Sequence, residues 1–94
     1  MKCISDILEL KPVPFDLNGA PCFLKRPTLA DLVDAISANE RGPAFAKAWA
    51  IHRHLLDGDH APVFASAEEA LRMPAGAAAK AVQAIEALYS EGSD

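Results

Sequence analysis

The chain lacks any stretch approaching the ~20 consecutive apolar residues that a bilayer-spanning helix needs, so a membrane partner is not expected. It also lacks a basic run. Lys and Arg number 9 against 13 Asp and Glu, and the net charge is −4. Nucleic acid demands a clustered positive surface to meet its phosphates, so it is set aside as a partner. The five glycines are scattered one by one, which leaves no glycine-rich loop to cradle a phosphate. Aromatics make up only 6%, and much of the 51% hydrophobic content is alanine. Alanine buries little area, so the core must rest on a few large side chains. The two cysteines, Cys3 and Cys22, stand in no metal-type spacing. Lys2 opens the chain, but Asp6 and Glu9 interrupt any apolar run, so no secretory leader is read there. A cytoplasmic location follows as the expectation, with reduced thiols and no Cys3–Cys22 bond.

What is present fits one domain, residues 1–94, of α+β class and mostly α. A short N-terminal helix is expected over residues 4–10, where Ile4, Ile7 and Leu8 keep helical spacing until Pro12 and Pro14 forbid continuation. A β-hairpin follows at about 13–26. Val13, Phe15 and Leu17 alternate toward one face, and Asn18-Gly19 takes positive φ cheaply at both turn positions. Pro14 and Pro21 cannot donate to a ladder, which makes the hairpin short and places it at an edge.

A bundle of about four helices is then expected over 28–90. Thr28 opens the first, with Asp31 three residues on to meet the free N–H groups; Leu29, Leu32, Val33 and Ile36 fall on one stripe. Gly42-Pro43 starts the second, read over 44–56, with Phe45, Ala48, Trp49, Ile51, Leu55 and Leu56 as its apolar face. Trp49 is read as core. Ser66-Ala-Glu-Glu69 is a capping box opening a short helix that Pro74 ends. The last helix is read over 77–89, with Val82, Ile85, Leu88 and Tyr89 on one flank.

Residues 55–70, LLDGDHAPVFASAEEA, concentrate the candidate chemistry. Asp57, Asp59 and His60 follow His52 and His54, which suggests a metal cluster. Two histidines two apart on a helix point about 200° from each other and cannot share one ion. They read instead as solvated imidazoles near a helix C-terminus. Residues 57–68 have the length of a calcium loop, but Ala61 stands where an oxygen ligand is wanted and Pro62 where glycine makes the turn. Asp31 and Asp34 could pair as carboxylates, but read more simply as an exposed polar face. No nucleophile has a histidine beside it. These charges fit turns and caps better than catalysis; no enzyme, cofactor or metal site is assigned. Val63-Phe64 reads as a hydrophobic staple on the following helix. The surfaces read as partner-binding are Val63, Phe64, Leu71, Val82, Ile85 and Tyr89.

The order of these elements resembles the tail assembly chaperones of long-tailed bacteriophages and prophages. The resemblance is carried by the N-terminal elements leading into Phe23-Leu-Lys-Arg-Pro-Thr-Leu-Ala-Asp31. It continues in the acidic Asp57-Gly-Asp turn, the Pro62-Val-Phe step, the capped helix, the break and the closing helix. Pro27 stands where the family usually has a hydrophobic residue, and the closing helix is richer in alanine. The resemblance implies a small, mostly helical protein that binds the tape-measure protein in the host cytoplasm. It further implies help in recruiting tail tube subunits, without ATP, and self-association into a homo-oligomer is a reasonable expectation. The alternative is another small helical interaction module, such as a virion adaptor or a regulatory partner protein.

Overall fold

The computed structural model describes residues 11–91. The helix expected over 4–10 lies outside these residues, as does Cys3. Strands β1 (Val13–Leu17) and β2 (Ala20–Leu24) form the hairpin, antiparallel, with Val13 opposite Leu24 and Leu17 opposite Ala20. The turn is the one Asn18-Gly19 allows, with φ of 52° and 90°. Helices α1 (Leu29–Glu40) and α2 (Pro43–His54) follow, then a two-residue strand β3 (Leu55–Leu56). The short helix α3 (Ala67–Ala70) and the long closing helix α4 (Ala75–Glu91) complete the fold. Among the described residues this is α+β architecture, mostly α, with a small antiparallel sheet and four helices. No helix among the described residues is long and apolar enough to cross a membrane.

Two boundaries correct the sequence reading. The second helix stops at His54 rather than running to residue 56, because Leu55 and Leu56 turn into β3. They pair antiparallel with β2, Phe23 opposite Leu56 and Leu24 opposite Leu55. The hairpin is therefore completed to three strands in the order β1-β2-β3, and β2 is central. Pro21 is tolerated there because β3 reaches only Phe23 and Leu24, so no ladder bond is asked of its nitrogen from that side. The closing helix also starts earlier, at Ala75, directly behind Pro74.

The core lies between the sheet, α2, α3 and α4. Leu24, Ile51, Leu55, Ile85 and Leu88 supply its volume, and Ala48, Ala67, Ala70 and Ala81 let the helices approach closely. Phe64 packs half-buried against this core, and Trp49 does the same, as the core reading of Trp49 expected. At α3, Ser66 Oγ accepts the Glu69 N–H at 3.2 Å. The Glu69 carboxylate reaches one residue further back than a reciprocal capping box would, taking the Ala65 N–H at 3.0 Å. In the acidic turn, Asp57 Oδ1 accepts from the N–H groups of Asp59 and Ala61 at 2.8 and 3.0 Å. That is how an aspartate closes a turn on itself. No group of three or more metal-ligating side chains gathers among the described residues.

Candidate functional site: an outward apolar helix on a buried charged anchor

Helix α1 is capped reciprocally. Asp31 N–H donates to Thr28 Oγ1 at 3.2 Å, and Thr28 N–H donates to Asp31 Oδ2 at 3.0 Å. This geometry turns Asp31 inward, to 1% exposure. The reading of Asp31 and Asp34 as one exposed polar face is thereby half corrected: Asp34 is exposed, Asp31 is not. A buried carboxylate must be compensated. Lys25 Nζ donates to both its oxygens, at 3.0 and 3.3 Å, and Arg53 Nε lies 3.0 Å from Oδ1. The Nε–H is not aimed along that line, so the contact is Coulombic; Nε has no hydrogen-bond acceptor among the described residues. The same guanidinium reaches Asp34 and lies 5.3 Å from the Trp49 ring. Burial alone would raise the Asp31 pKa. The Thr28 N–H and the Lys25 ammonium outweigh it and hold the carboxyl below its ordinary value.

His54 continues this cluster. It is not a solvated imidazole, as the sequence suggested, but fully buried. Nδ1 lies 2.9 Å from the Lys25 carbonyl and Nε2 lies 2.7 Å from the Tyr89 hydroxyl. A carbonyl can only accept, so Nδ1 carries the proton and Nε2 accepts from Tyr89. Burial pushes the His54 pKa down, against the pull of the Lys25 carbonyl and Asp31. Burial also pushes Tyr89 up to about 12, helped by the negative charge of Asp31. Every member of the cluster is engaged by another. Chemically it is an anchor, tying α1, the end of β2, α2 and α4 at one point.

The anchor decides which way α1 faces. Asp31 and Ala38 are its buried residues, so the stripe read from the sequence points the other way. Leu29 is 77%, Leu32 49%, Val33 55% and Ile36 61% exposed. Scattered exposed aliphatics need no explanation, but four on one face of one helix form a patch of the kind that marks an interaction site. Beside this ridge runs an open groove of about 480 Å³, floored by Ala46, Trp49, Ala50, Val82 and Tyr89 and rimmed by Ala35 and Asn39 of α1. A second groove of about 440 Å³ lies past Lys47, Val82 and Glu86, with Leu71 and Met73 on its far wall.

The six residues read as partner-binding are dispersed over this surface. Val82 and Tyr89 line the first groove, and Leu71, 59% exposed, edges the second. Val63 is 43% exposed in the loop before α3, and its neighbour Phe64 is half-buried, its carbonyl 3.0 Å from His52 Nδ1. Ile85 also lines the first groove, but at 2% exposure it belongs chiefly to the core cluster and offers little surface there. The α1 ridge was not among the six. Its signal was present all the same, since Asp31 and Ala38 occupy the face opposite Leu29, Leu32 and Ile36 and mark that side as the one that can pack closely. No family model, characterised protein or solved structure that was compared with this chain matches it.

Proposed function

We propose that this chain is a tail assembly chaperone of a long-tailed bacteriophage or prophage. On this reading it holds amphipathic helices of the tape-measure protein against the α1 ridge and assists assembly of the tail tube in the host cytoplasm, without catalysis. The observation that carries the proposal is the exposure of Leu29, Leu32, Val33 and Ile36 on one anchored helix. An amphipathic client helix needs an apolar partner surface with a ridge or groove to seat its i, i+3, i+4 residues. The ridge and the adjoining groove supply both. The chain's mild acidity, −4 overall, supports the reading further by keeping such a surface from collapsing onto like-charged copies.

A very long, helix-rich reading frame beside this chain's gene is the expected client, and co-expression with its product is the test. The client is expected to become soluble and to co-purify with the wild-type chain. The double substitution Leu32→Asp and Ile36→Asp is expected to weaken that association at least tenfold while leaving the melting temperature in place. A wild-type chain that neither solubilises nor retains the client would refute the proposal.

A further inference from the structure

Ridge and groove are the two halves of one fitting. Leu29, Leu32, Val33 and Ile36 stand at i, i+3, i+4 and i+7 on the exposed side of α1. That is the spacing with which an amphipathic helix enters an apolar groove. The groove beside them is open, floored by Trp49, Val82 and Tyr89 and edged by Ala35 and Asn39 of α1 itself. Ala35 and Asn39 each follow a ridge residue, Leu32 and Ile36, by three positions, so the raised side of α1 and the hollow share an edge. The cap and the ion cluster already hold α1 in place, so little ordering is left to do when it docks.

We infer that, in the absence of a client, the groove is filled by the α1 ridge of a second copy, the two copies exchanging ridges across a two-fold axis beside Ala35 and Asn39. A half-turn about that shared edge carries each ridge over the other copy's groove. Both contacts then form at once and close, giving a dimer rather than a filament. Area selects the same arrangement. The four aliphatic side chains alone make a patch of roughly 300–600 Å², short of the about 800 Å² that a standard interface buries on each partner. Ridge laid on ridge stops there. Ridge laid in groove adds the half-buried Trp49 and Tyr89, each bringing a fraction of the roughly 150–250 Å² that such a side chain can bury. The face then reaches the lower edge of the standard class. The charge of −4 on each copy opposes their approach, but salt at about 0.1 M screens it beyond about 10 Å. The outcome is a reversible dimer of micromolar affinity. The dimer itself does not depend on the function proposed above. Its role does: on that reading a client helix competes for the same groove, and pairing keeps the apolar face out of water until the client arrives.

Sedimentation equilibrium of the full-length chain in reducing buffer tests the inference, from about 1 to about 300 µM so as to bracket a micromolar affinity. The wild type is expected to pass from monomer to dimer as concentration rises, with no larger species. Leu32→Asp with Ile36→Asp spoils the ridge, and Ala46→Lys obstructs the groove floor. Each is expected to weaken the dimer at least tenfold, with thermal melting showing that the variant is folded; Ala50→Lys, on the same floor, serves if Ala46→Lys does not fold. Mixed in equal amounts, the ridge and groove variants should associate more tightly than either does alone, because the intact ridge of one meets the intact groove of the other. A wild type that stays monomeric throughout, or growth past the dimer, would overturn the inference. So would a dimer indifferent to the ridge variant. Loss with the ridge variant but not with the groove variant would place ridge on ridge and overturn it as well. No client is present in this experiment, so its result is separate from success or failure of the co-expression test.

Discussion

In α4, Ala81, Ile85 and Leu88 are buried against the rest of the molecule; in α1, Leu29, Leu32, Val33 and Ile36 stand in solvent while Asp31 and Ala38 are buried. Both helices carry an apolar stripe at helical spacing, and spacing alone does not distinguish them. The difference lies on the opposite face. Behind the stripe of α4 are Lys80, Gln83, Glu86 and Ala87, all exposed, with no buried charge to receive them. Behind the stripe of α1 is a carboxylate that caps its own helix and meets two cations, Lys25 and Arg53. One helix is held by the hydrophobic effect, the other by a cap, an ion cluster and the small residue Ala38. A helix held by its polar side is free to offer its apolar side.

The largest effect should come from exchanging the same truncation between the two helices. Ile85→Ala removes three carbons from a side chain that is 2% exposed, and should cost about 2–5 kcal/mol. At about 4–8 °C per kcal/mol for a domain of this size, melting should fall by about eight degrees or more. Ile36→Ala, at 61% exposure, should stay within about 0.5 kcal/mol. Thermal unfolding of the two variants side by side measures the contrast, and equal losses would mean that the α1 ridge is covered tightly.

Next in size is the anchor itself. Asp31→Ala deletes the cap partner and leaves Lys25 and Arg53 facing each other without their counter-charge. Loss of an N-terminal cap bond costs about 1 kcal/mol, and breaking a buried ion pair up to about 3–5 kcal/mol. Both cations are partly exposed, 40% and 32% at their side chains, which lets water take up much of the loss. A fall of about 2–3 kcal/mol is expected, by chemical denaturation, with amide exchange in α1 accelerated more than in α4. Uniform acceleration across both helices would show that the anchor supports the whole fold rather than α1.

Much of this fold was legible in the sequence where local chemistry decides the outcome. Asn18-Gly19 required a hairpin, Thr28 with Asp31 and Ser66 with Glu69 required helix starts, and Gly42-Pro43 required a break and restart. What escaped was non-local. The strand Leu55–Leu56 exists because Phe23 and Leu24, more than thirty positions earlier, offer it a ladder; on its own it reads as the last turn of α2. His54 is buried because Tyr89, 35 residues later, supplies a hydroxyl to its Nε2. The direction of α1 depends on Arg53, which lies on another helix. Periodicity says which residues share a face, but only the partners of the opposite face say where that face points.

The smallest effect is a pH dependence that reports on the point where the two helices are tied together. His54 faces the Lys25 carbonyl, the Tyr89 hydroxyl, the Trp49 ring and the charges of Asp31, Lys25 and Arg53. Its pKa in the folded chain is lowered, by burial first, so the unfolded chain takes up the proton at higher pH than the folded one. As pH falls below about 6.5, the ordinary histidine value, the unfolded state is favoured and stability declines, until the folded imidazole titrates as well. Asp31 acts in the same sense lower down: its folded pKa is depressed, so its contribution is complete above about 3.9 and fades below that. At the alkaline end the sign reverses. Tyr89 is raised to about 12, so stability declines as pH rises from about 10, where the unfolded phenol ionises, toward that value. Melting temperature followed from pH 7 to pH 5 should therefore fall, and His54→Gln, less stable at pH 7, should show a shallower fall over the same interval. An unchanged slope in that variant would place the acid sensitivity on other groups and remove His54 from the joint between α1 and α4.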